Sequence, residues 1–94
     1  MLLHLGRSTA IRVSSVIAIY DYGIFAQGSN ADYLDRQRAA GRVCAIEGQS
    51  SEIKSLIITT DRIYLSAISS LTLWRRSRQL PDSWQIQENN GLFI

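Results

Sequence analysis

The sequence predicts an α+β fold, a small single domain with a mostly antiparallel β-sheet of about five strands and two short helices. Short runs rich in β-branched and aromatic residues are separated by turn-forming residues, which is typical of strands. Two other segments begin with serine or asparagine and are followed by Gly41 or Pro81, which indicates helices. The chain has 94 residues, of which 46% are hydrophobic and 19% are charged. This length suits one globular domain and is too short for two.

The first half of the chain predicts strands around one surface helix. The helix is expected to begin at Ser29 or Asn30, because either side chain can accept a hydrogen bond from the first turn. Asp32 complements the positive end of the helix dipole, and Gly41 supplies the left-handed conformation that ends the helix after Ala40. The apolar face of this helix is narrow, which favours a surface position. The predicted strands of this half are residues 1–5, 11–13, 16–20 and 42–46.

The second half contains the strongest structural signal, two β-rich runs at residues 55–60 and 63–66. Asp61 and Arg62 separate them, and this short spacing predicts a hairpin. Residues 56–58 are three consecutive apolar residues, which indicates burial on both faces of a sheet. The first of these two strands is therefore expected at the centre of the sheet.

A second helix is predicted after the hairpin. Ser69 or Ser70 can cap its first turn, and the only proline, Pro81, stops it. We expect one domain over residues 1–80. Residues 81–94 form a C-terminal tail that either is flexible or docks on the domain.

The sequence offers no catalytic or metal-binding constellation. The only histidine, His4, lies between two leucines in a predicted strand, and nucleophilic catalysis needs a positioned base beside the nucleophile. One cysteine and one histidine cannot complete a structural zinc site. The glycine spacing matches neither a dinucleotide-binding nor a phosphate-binding loop. We expect a protein that is not an enzyme and that needs no cofactor or metal.

The cysteine content and hydropathy indicate a cellular compartment. Cys44 is the only cysteine and cannot form an internal disulfide, which fits a reducing environment. The first residues lack the charged start and apolar run of a signal peptide, and no apolar run approaches the length of a membrane span. We therefore expect a cytoplasmic protein without a membrane partner.

Positive charge is concentrated in residues 54–78. The whole chain has a net charge of +2, whereas this segment alone carries +4. Arg75, Arg76 and Arg78 lie within about one helical turn, where they can contact phosphates or acidic partners. The alternative interpretation is a solvated helix end, at which the dipole favours cations. Trp74 beside them can stack on a base or pack in a core or subunit contact.

Three stretches of the sequence resemble one known family of proteins. They are residues 3–6, residues 16–21 and, with the greatest specificity, residues 54–76. The chain resembles the DUF370 family of small bacterial extracellular matrix regulators, which includes RemA and RemB types, and it is most similar to the RemB type. The resemblance implies a compact β-rich subunit with two helices that assembles with copies of itself into a closed ring. It also implies DNA-binding activation of biofilm matrix genes in RemA-like relatives.

The chain departs from the RemA-type pattern at positions that the resemblance associates with DNA. By resemblance, RemA-type proteins have adjacent arginines in the loop before the central strand, where this chain has Ser50-Ser51-Glu52. They have another arginine just before the second strand, where this chain has Ser15. Our first hypothesis is a ring-forming transcriptional regulator that binds duplex DNA mainly through phosphates. Its predicted DNA contacts are Arg75, Arg76, Arg78, Lys54 and Arg62. The alternative is a ring-forming assembly or protein-interaction module without direct DNA binding, in which the arginines stabilise subunit contacts.

Overall fold

The computed structural model describes residues 1–46, 52–78 and 92–93. These residues form a two-stranded hairpin, a five-stranded sheet and two α-helices, which confirms the predicted α+β class. The strands are β1 (Leu2–Gly6), β2 (Thr9–Arg12), β3 (Val16–Asp21), β4 (Val43–Ala45), β5 (Ser55–Thr59), β6 (Ile63–Ser66) and β7 (Leu92–Phe93). The helices are α1 (Gly28–Ala39) and α2 (Ser70–Ser77), and short 3-10 helices cover Val13–Ser15 and Tyr22–Phe25.

The five-stranded sheet has the strand order β4-β6-β5-β3-β7. Neighbouring strands are antiparallel except for β4, which pairs in parallel with β6. The predicted β5–β6 hairpin is confirmed, with Ile58 opposite Ile63 at its closed end. β5 lies at the centre of the sheet, as its three consecutive apolar residues predicted.

Both faces of this sheet are covered, which explains the apolar run in β5. On one face, Ile57 belongs to a buried cluster with Leu73 and Trp74 of α2 and with leucines of the β1–β2 hairpin. On the other face, Leu56 belongs to a second cluster with Leu34 of α1. Burial of one large apolar side chain contributes about 1.5–3 kcal/mol. The sheet is therefore the middle of three layers, with α2 and the hairpin on one side and α1 on the other.

The β1–β2 hairpin has a shorter turn than the sequence predicted, because β1 extends through Gly6 and β2 begins at Thr9. The turn follows Gly6, and φ is 124° at Gly6 and 46° at Arg7. Glycine adopts positive φ without the penalty that a Cβ atom brings, which makes Gly6 a suitable residue for the end of the strand. β2 begins at Thr9, two residues before the predicted start at residue 11. Val13, predicted as the end of that strand, instead begins the first 3-10 helix.

Helix α1 begins before the predicted start, and its predicted capping is wrong. The N-cap position is Gln27, whose side chain makes no capping hydrogen bond. The side-chain amide of Asn30 instead donates to the carbonyl of Ile24 at 3.1 Å, because the preceding 3-10 helix brings that carbonyl close. The first turn of α1 contains no acidic residue, so Asp32 lies beyond the position expected for it. Gly41 has a φ of 73°, which confirms the left-handed conformation after the helix.

The C-terminal tail contributes one strand to the sheet. β7 pairs antiparallel with β3, with Phe93 opposite Ala18 and Leu92 opposite Ile19. The predicted domain boundary at residue 80 lies outside the described residues. The described part of the tail thus lies along the outer edge of β3.

Candidate nucleic-acid interface

Helix α2 carries Arg75 and Arg76, Arg78 is its C-cap residue, and a side-chain cap fixes the start of the helix. The hydroxyl of Ser69 accepts a hydrogen bond from the Thr72 N–H at 3.2 Å, as the sequence predicted. Leu73, Trp74 and Ser77 are buried. Their spacing gives the helix one inward face, because residues three and four apart lie on the same side. Arg75 and Arg76 are exposed and lie on the side of the helix that does not face the core.

Arg75 and Arg76 lie in the last turn of α2, and both are exposed. The negative end of the helix dipole favours cations at this position. In the described part of the chain, neither guanidinium group forms an ion pair with a carboxylate. Both side chains are therefore free to bind phosphate or carboxylate groups of a partner, with the bidentate geometry that guanidinium provides.

Arg78, the C-cap residue of α2, is more constrained than Arg75 and Arg76. Its guanidinium carbon lies 4.9 Å from the centroid of the Trp74 ring, a cation–π contact across one helical turn. The Nε atom of Arg78 and the Nε1 atom of Trp74 are both buried, and the described residues provide no hydrogen-bond acceptor for either. The contact with Trp74 leaves less of the Arg78 side chain available to a partner.

Lys54 precedes β5 and lies in a different local environment. Its backbone N–H donates to the carbonyl of Ser66 at 2.9 Å, and its carbonyl accepts from the Tyr22 N–H at 3.0 Å. Its side chain is exposed and lines an open cleft of about 420 Å³. Asp21 and Glu52 line the same cleft. Two carboxylates beside one ammonium group make this cleft mixed in charge rather than cationic.

Arg62 lies at the opposite end of β5, in the turn that leads to β6. The Thr59 hydroxyl organises this turn: it donates to the Arg62 carbonyl at 2.6 Å and accepts from the Arg62 N–H at 3.1 Å. β5 has five residues, so at about 3.3 Å per residue Arg62 lies roughly 17 Å along the strand from Lys54. The structure therefore does not bring Lys54 and Arg62 together.

Arg62 and its neighbour Asp61 also affect the phenol of Tyr64 in β6. Burial raises the pKa of Tyr64 above its ordinary value, Arg62 opposes this rise, and Asp61 adds to it. Removal from water disfavours the charged phenolate, which explains the direction of the change. Tyr64 therefore stays neutral over the whole physiological range.

Arg12 is a further exposed cation near the Arg62 end of the sheet, and the sequence did not indicate it. The Ser15 hydroxyl donates to the Arg12 carbonyl at 2.7 Å, and the Ser15 carbonyl accepts from the Thr60 N–H at 3.0 Å. These two bonds connect the end of the hairpin to the β5–β6 turn. Positive and negative charges balance in the half of the sequence that contains Arg12, so the charge pattern does not single it out. Its position near Arg62 follows only from how the hairpin packs against the β5–β6 turn.

The predicted contacts thus fall into three places: the last turn of α2, the cleft beside Lys54 and the sheet end with Arg62. Ser50 and Ser51, at which the sequence departs from the resembled family pattern, lie outside the described residues. Within the described ranges, no group of three or more His, Cys, Asp and Glu side chains is placed to hold a metal ion. No helix in those ranges is long and apolar enough to cross a bilayer.

The comparison with protein families identifies the kind of domain that presents these cations. A family model described as RemA-like, extracellular matrix regulatory protein A-like, matches residues 2–76. The chain belongs to the RemA-like family. The match extends from β1 through most of α2, so it includes Lys54, Arg62, Arg75 and Arg76. The RemA-like chain is by family an extracellular matrix regulatory protein. No curated protein matches it.

Proposed function

We propose that this RemA-like protein is a RemB-type, ring-forming transcriptional regulator of bacterial matrix genes, not an enzyme, and that it acts in the cytoplasm by binding duplex DNA mainly through phosphates. The exposed pair Arg75 and Arg76, free of carboxylate partners among the described residues, carries the proposal. Guanidinium groups stay charged at physiological pH and match the geometry of phosphate oxygens. Membership in a family of matrix regulatory proteins supports the regulatory role.

The position of these arginines favours phosphate contact over base readout. They lie in the last turn of a short helix whose inward face is packed against the sheet. Contacts of this kind position a protein on the duplex, whereas sequence is read by side chains that enter a groove. Lys54 and Arg62 act as secondary phosphate contacts, because both are cationic and their side chains are exposed.

Assembly is part of the proposal because one subunit offers few contacts. Each phosphate contact contributes about −0.9 to the slope of log affinity against log salt concentration. One subunit makes only two or three such contacts, so a single subunit binds DNA weakly. Copies held together present their contacts to the same duplex, which raises the overall affinity. A domain of this size hides only about 60% of its unfolded surface, which also favours association.

A salt titration with matched double variants tests the DNA contact. We expect wild-type binding to a long duplex to fall steeply with salt and Arg75→Ala/Arg76→Ala to lower the slope by about 2 per engaged subunit. The control is Arg36→Ala/Arg38→Ala, which removes the same charge from α1, on the other face of the sheet. An equal loss of DNA affinity in both double variants would mean that only the net charge of the protein matters, and it would refute the α2 interface. Absence of wild-type binding at low salt would refute DNA binding altogether.

The alternative function is a ring-forming protein-interaction module without direct DNA binding. Exposed apolar side chains favour it: Leu2 is 66% exposed, Ile17 50% and Leu71 41%. Leu71 lies one helical turn before Arg75, so an acidic amphipathic partner could contact both. In this case the Arg75→Ala/Arg76→Ala variant would change the mass of the assembly or the capture of that partner, and DNA affinity would be absent throughout.

A further inference from the structure

The open cleft beside Lys54 has the size of a small-molecule site. Its volume is about 420 Å³, and pockets that hold small ligands commonly measure about 300–1,000 Å³. The described residues that line it come from the end of β3, the 3-10 helix that follows β3, the segment before β5 and the start of α2. The cleft therefore has room for a small metabolite.

The segment before β5 contributes two opposite charges to this cleft. Ile53 is half-buried and packs against the core cluster that contains Phe25 and Leu56. Glu52 and Lys54, on either side of Ile53, are exposed, and both line the cleft. Because the apolar residue between them packs inward, the two charged side chains point outward, as alternate residues of an extended segment do. The fold thus places a carboxylate and an ammonium group at the same opening.

Asp21 adds a second carboxylate from the end of β3. Its Oδ1 atom accepts a hydrogen bond from the Gly23 N–H at 2.8 Å, which holds the side chain at the start of the 3-10 helix. Within the described ranges, Lys54 forms no ion pair with Asp21 or with Glu52. Charges of both signs are therefore available to a ligand in the cleft.

Backbone hydrogen bonds hold the walls of the cleft in place. The Lys54 carbonyl accepts from the Tyr22 N–H at 3.0 Å, and the Lys54 N–H donates to the Ser66 carbonyl at 2.9 Å. At the start of α2, the Ser69 hydroxyl accepts from the Thr72 N–H at 3.2 Å. These bonds are present without a ligand, so binding does not have to order the backbone, and this lowers its entropic cost.

We propose that this cleft binds a small zwitterion, a molecule of amino-acid size with one ammonium group and one carboxylate. The carboxylate of the ligand contacts the ammonium group of Lys54, and the ammonium group of the ligand contacts the carboxylates of Glu52 and Asp21. Hydrogen bonds between charged groups are roughly twice as strong as those between neutral groups. A ligand with a single charge satisfies only one sign of charge in the cleft and lies close to a protein charge of its own sign.

A titration with ω-amino acids tests the proposal. The series runs from glycine to 6-aminohexanoate, which varies the separation of the two charges, and each compound is added to the ¹⁵N-labelled full-length chain. We expect at least one member to shift the amide resonances of Tyr22, Gly23 and Lys54 in a saturable way. The single-charge analogues of the same length, such as hexanoate and hexylamine, should bind at least about tenfold more weakly, because each lacks one hydrogen bond between charged groups.

Substitutions that remove one charge assign the two ends of the ligand. Lys54→Met and Glu52→Gln should each lower the affinity for the zwitterion by about tenfold, because each removes one charged partner. The matched controls are Arg36→Met and Asp32→Asn, which make the same changes of charge at exposed positions of α1 outside the cleft lining. The controls should leave the affinity unchanged. The remaining amide resonances show that each variant keeps the fold.

Three results would overturn the proposal. The first is the absence of a saturable shift at the cleft with every zwitterion of the series. The second is equal binding of a zwitterion and its single-charge analogue, which would mean that the cleft recognises one sign of charge alone. The third is an equal loss of affinity in the α1 controls, which would mean that only the net charge of the protein matters. The titration contains no DNA, so its result is independent of the function proposed above.

Discussion

Replacing Ser66 with alanine should lower the free energy of unfolding by about 2–4 kcal/mol. Ser66 ends β6 and is fully buried. Its hydroxyl donates to the carbonyl of Leu5 at 2.6 Å and accepts from the Ile68 N–H at 3.0 Å. The bond to Leu5 joins the hairpin to the main sheet across 61 residues of sequence. One side chain therefore holds a strand of the hairpin and the segment that leads into α2.

The magnitude follows from the two backbone groups that the alanine variant would leave without this partner. A buried polar group that loses its hydrogen bond costs about 1–3 kcal/mol, and the part-buried Ile68 N–H lies at the lower end of this range. Leu5 has no partner in the β1–β2 ladder, where the register shifts between His4 and Gly6. The removed atom is a single oxygen, so the cavity adds little. The two groups together would cost about 2–6 kcal/mol. Local relaxation lowers this cost, so we expect about 2–4 kcal/mol.

Ser77→Ala is a matched control for this experiment. Ser77 is also buried, and its hydroxyl donates to the carbonyl of Trp74 at 2.7 Å. That carbonyl also accepts from the Arg78 N–H at 3.1 Å, so the variant leaves no orphaned group and should cost less than about 1 kcal/mol. Urea unfolding followed by circular dichroism measures both variants. A Ser66→Ala protein as stable as Ser77→Ala would refute the reasoning.

Three further predictions concern α2 and β6. Ser69→Ala removes the cap of α2 and should lower the free energy of unfolding by about 1 kcal/mol, measured by urea unfolding; an unchanged midpoint would mean that the cap is redundant. Stability should fall as pH rises above about 10, because the raised pKa of Tyr64 makes the folded state retain a proton that the unfolded state releases. Tyr64→Phe should flatten that fall, and an identical pH profile would assign it to other groups. Arg78→Ala removes the contact with Trp74 and should cost about 0.5–1 kcal/mol, with an altered tryptophan emission spectrum; an unaltered spectrum would contradict the stacking.

The parts of the fold that the sequence predicted are those fixed by neighbouring residues. The apolar run in β5 predicted its central place, and Ser69 predicted the start of α2, because burial on two faces and capping both have a local signature. The cap of α1 was mispredicted, since Asn30 finds the Ile24 carbonyl in a preceding turn. The parallel pairing of β4 with β6 depends on contacts distant in sequence, and no local pattern distinguishes it from an antiparallel edge.

The same distinction applies to the candidate site. Arg75 and Arg76 are adjacent in sequence and on one helix, so their proximity needed no knowledge of the fold. The separation of Lys54 from Arg62 depends on β5 lying extended between them. Arg12 reaches the Arg62 end of the sheet only through the position of the β1–β2 hairpin against β3 and β5. Whether distant residues meet depends on register and layer packing, which the spacing of charges does not encode.

Lys54 illustrates how this domain separates charge from stability. Its backbone groups hold it to Ser66 and Tyr22, while its exposed side chain forms no bond in the described part of the chain that maintains the fold. A substitution there alters the electrostatic potential of the surface and leaves both backbone bonds in place. Single substitutions at such positions can therefore change the affinity for polyanions without lowering the stability of the fold, so selection for stability does not oppose them. Related chains with this backbone can diverge in the strength of anion binding while they keep the same architecture.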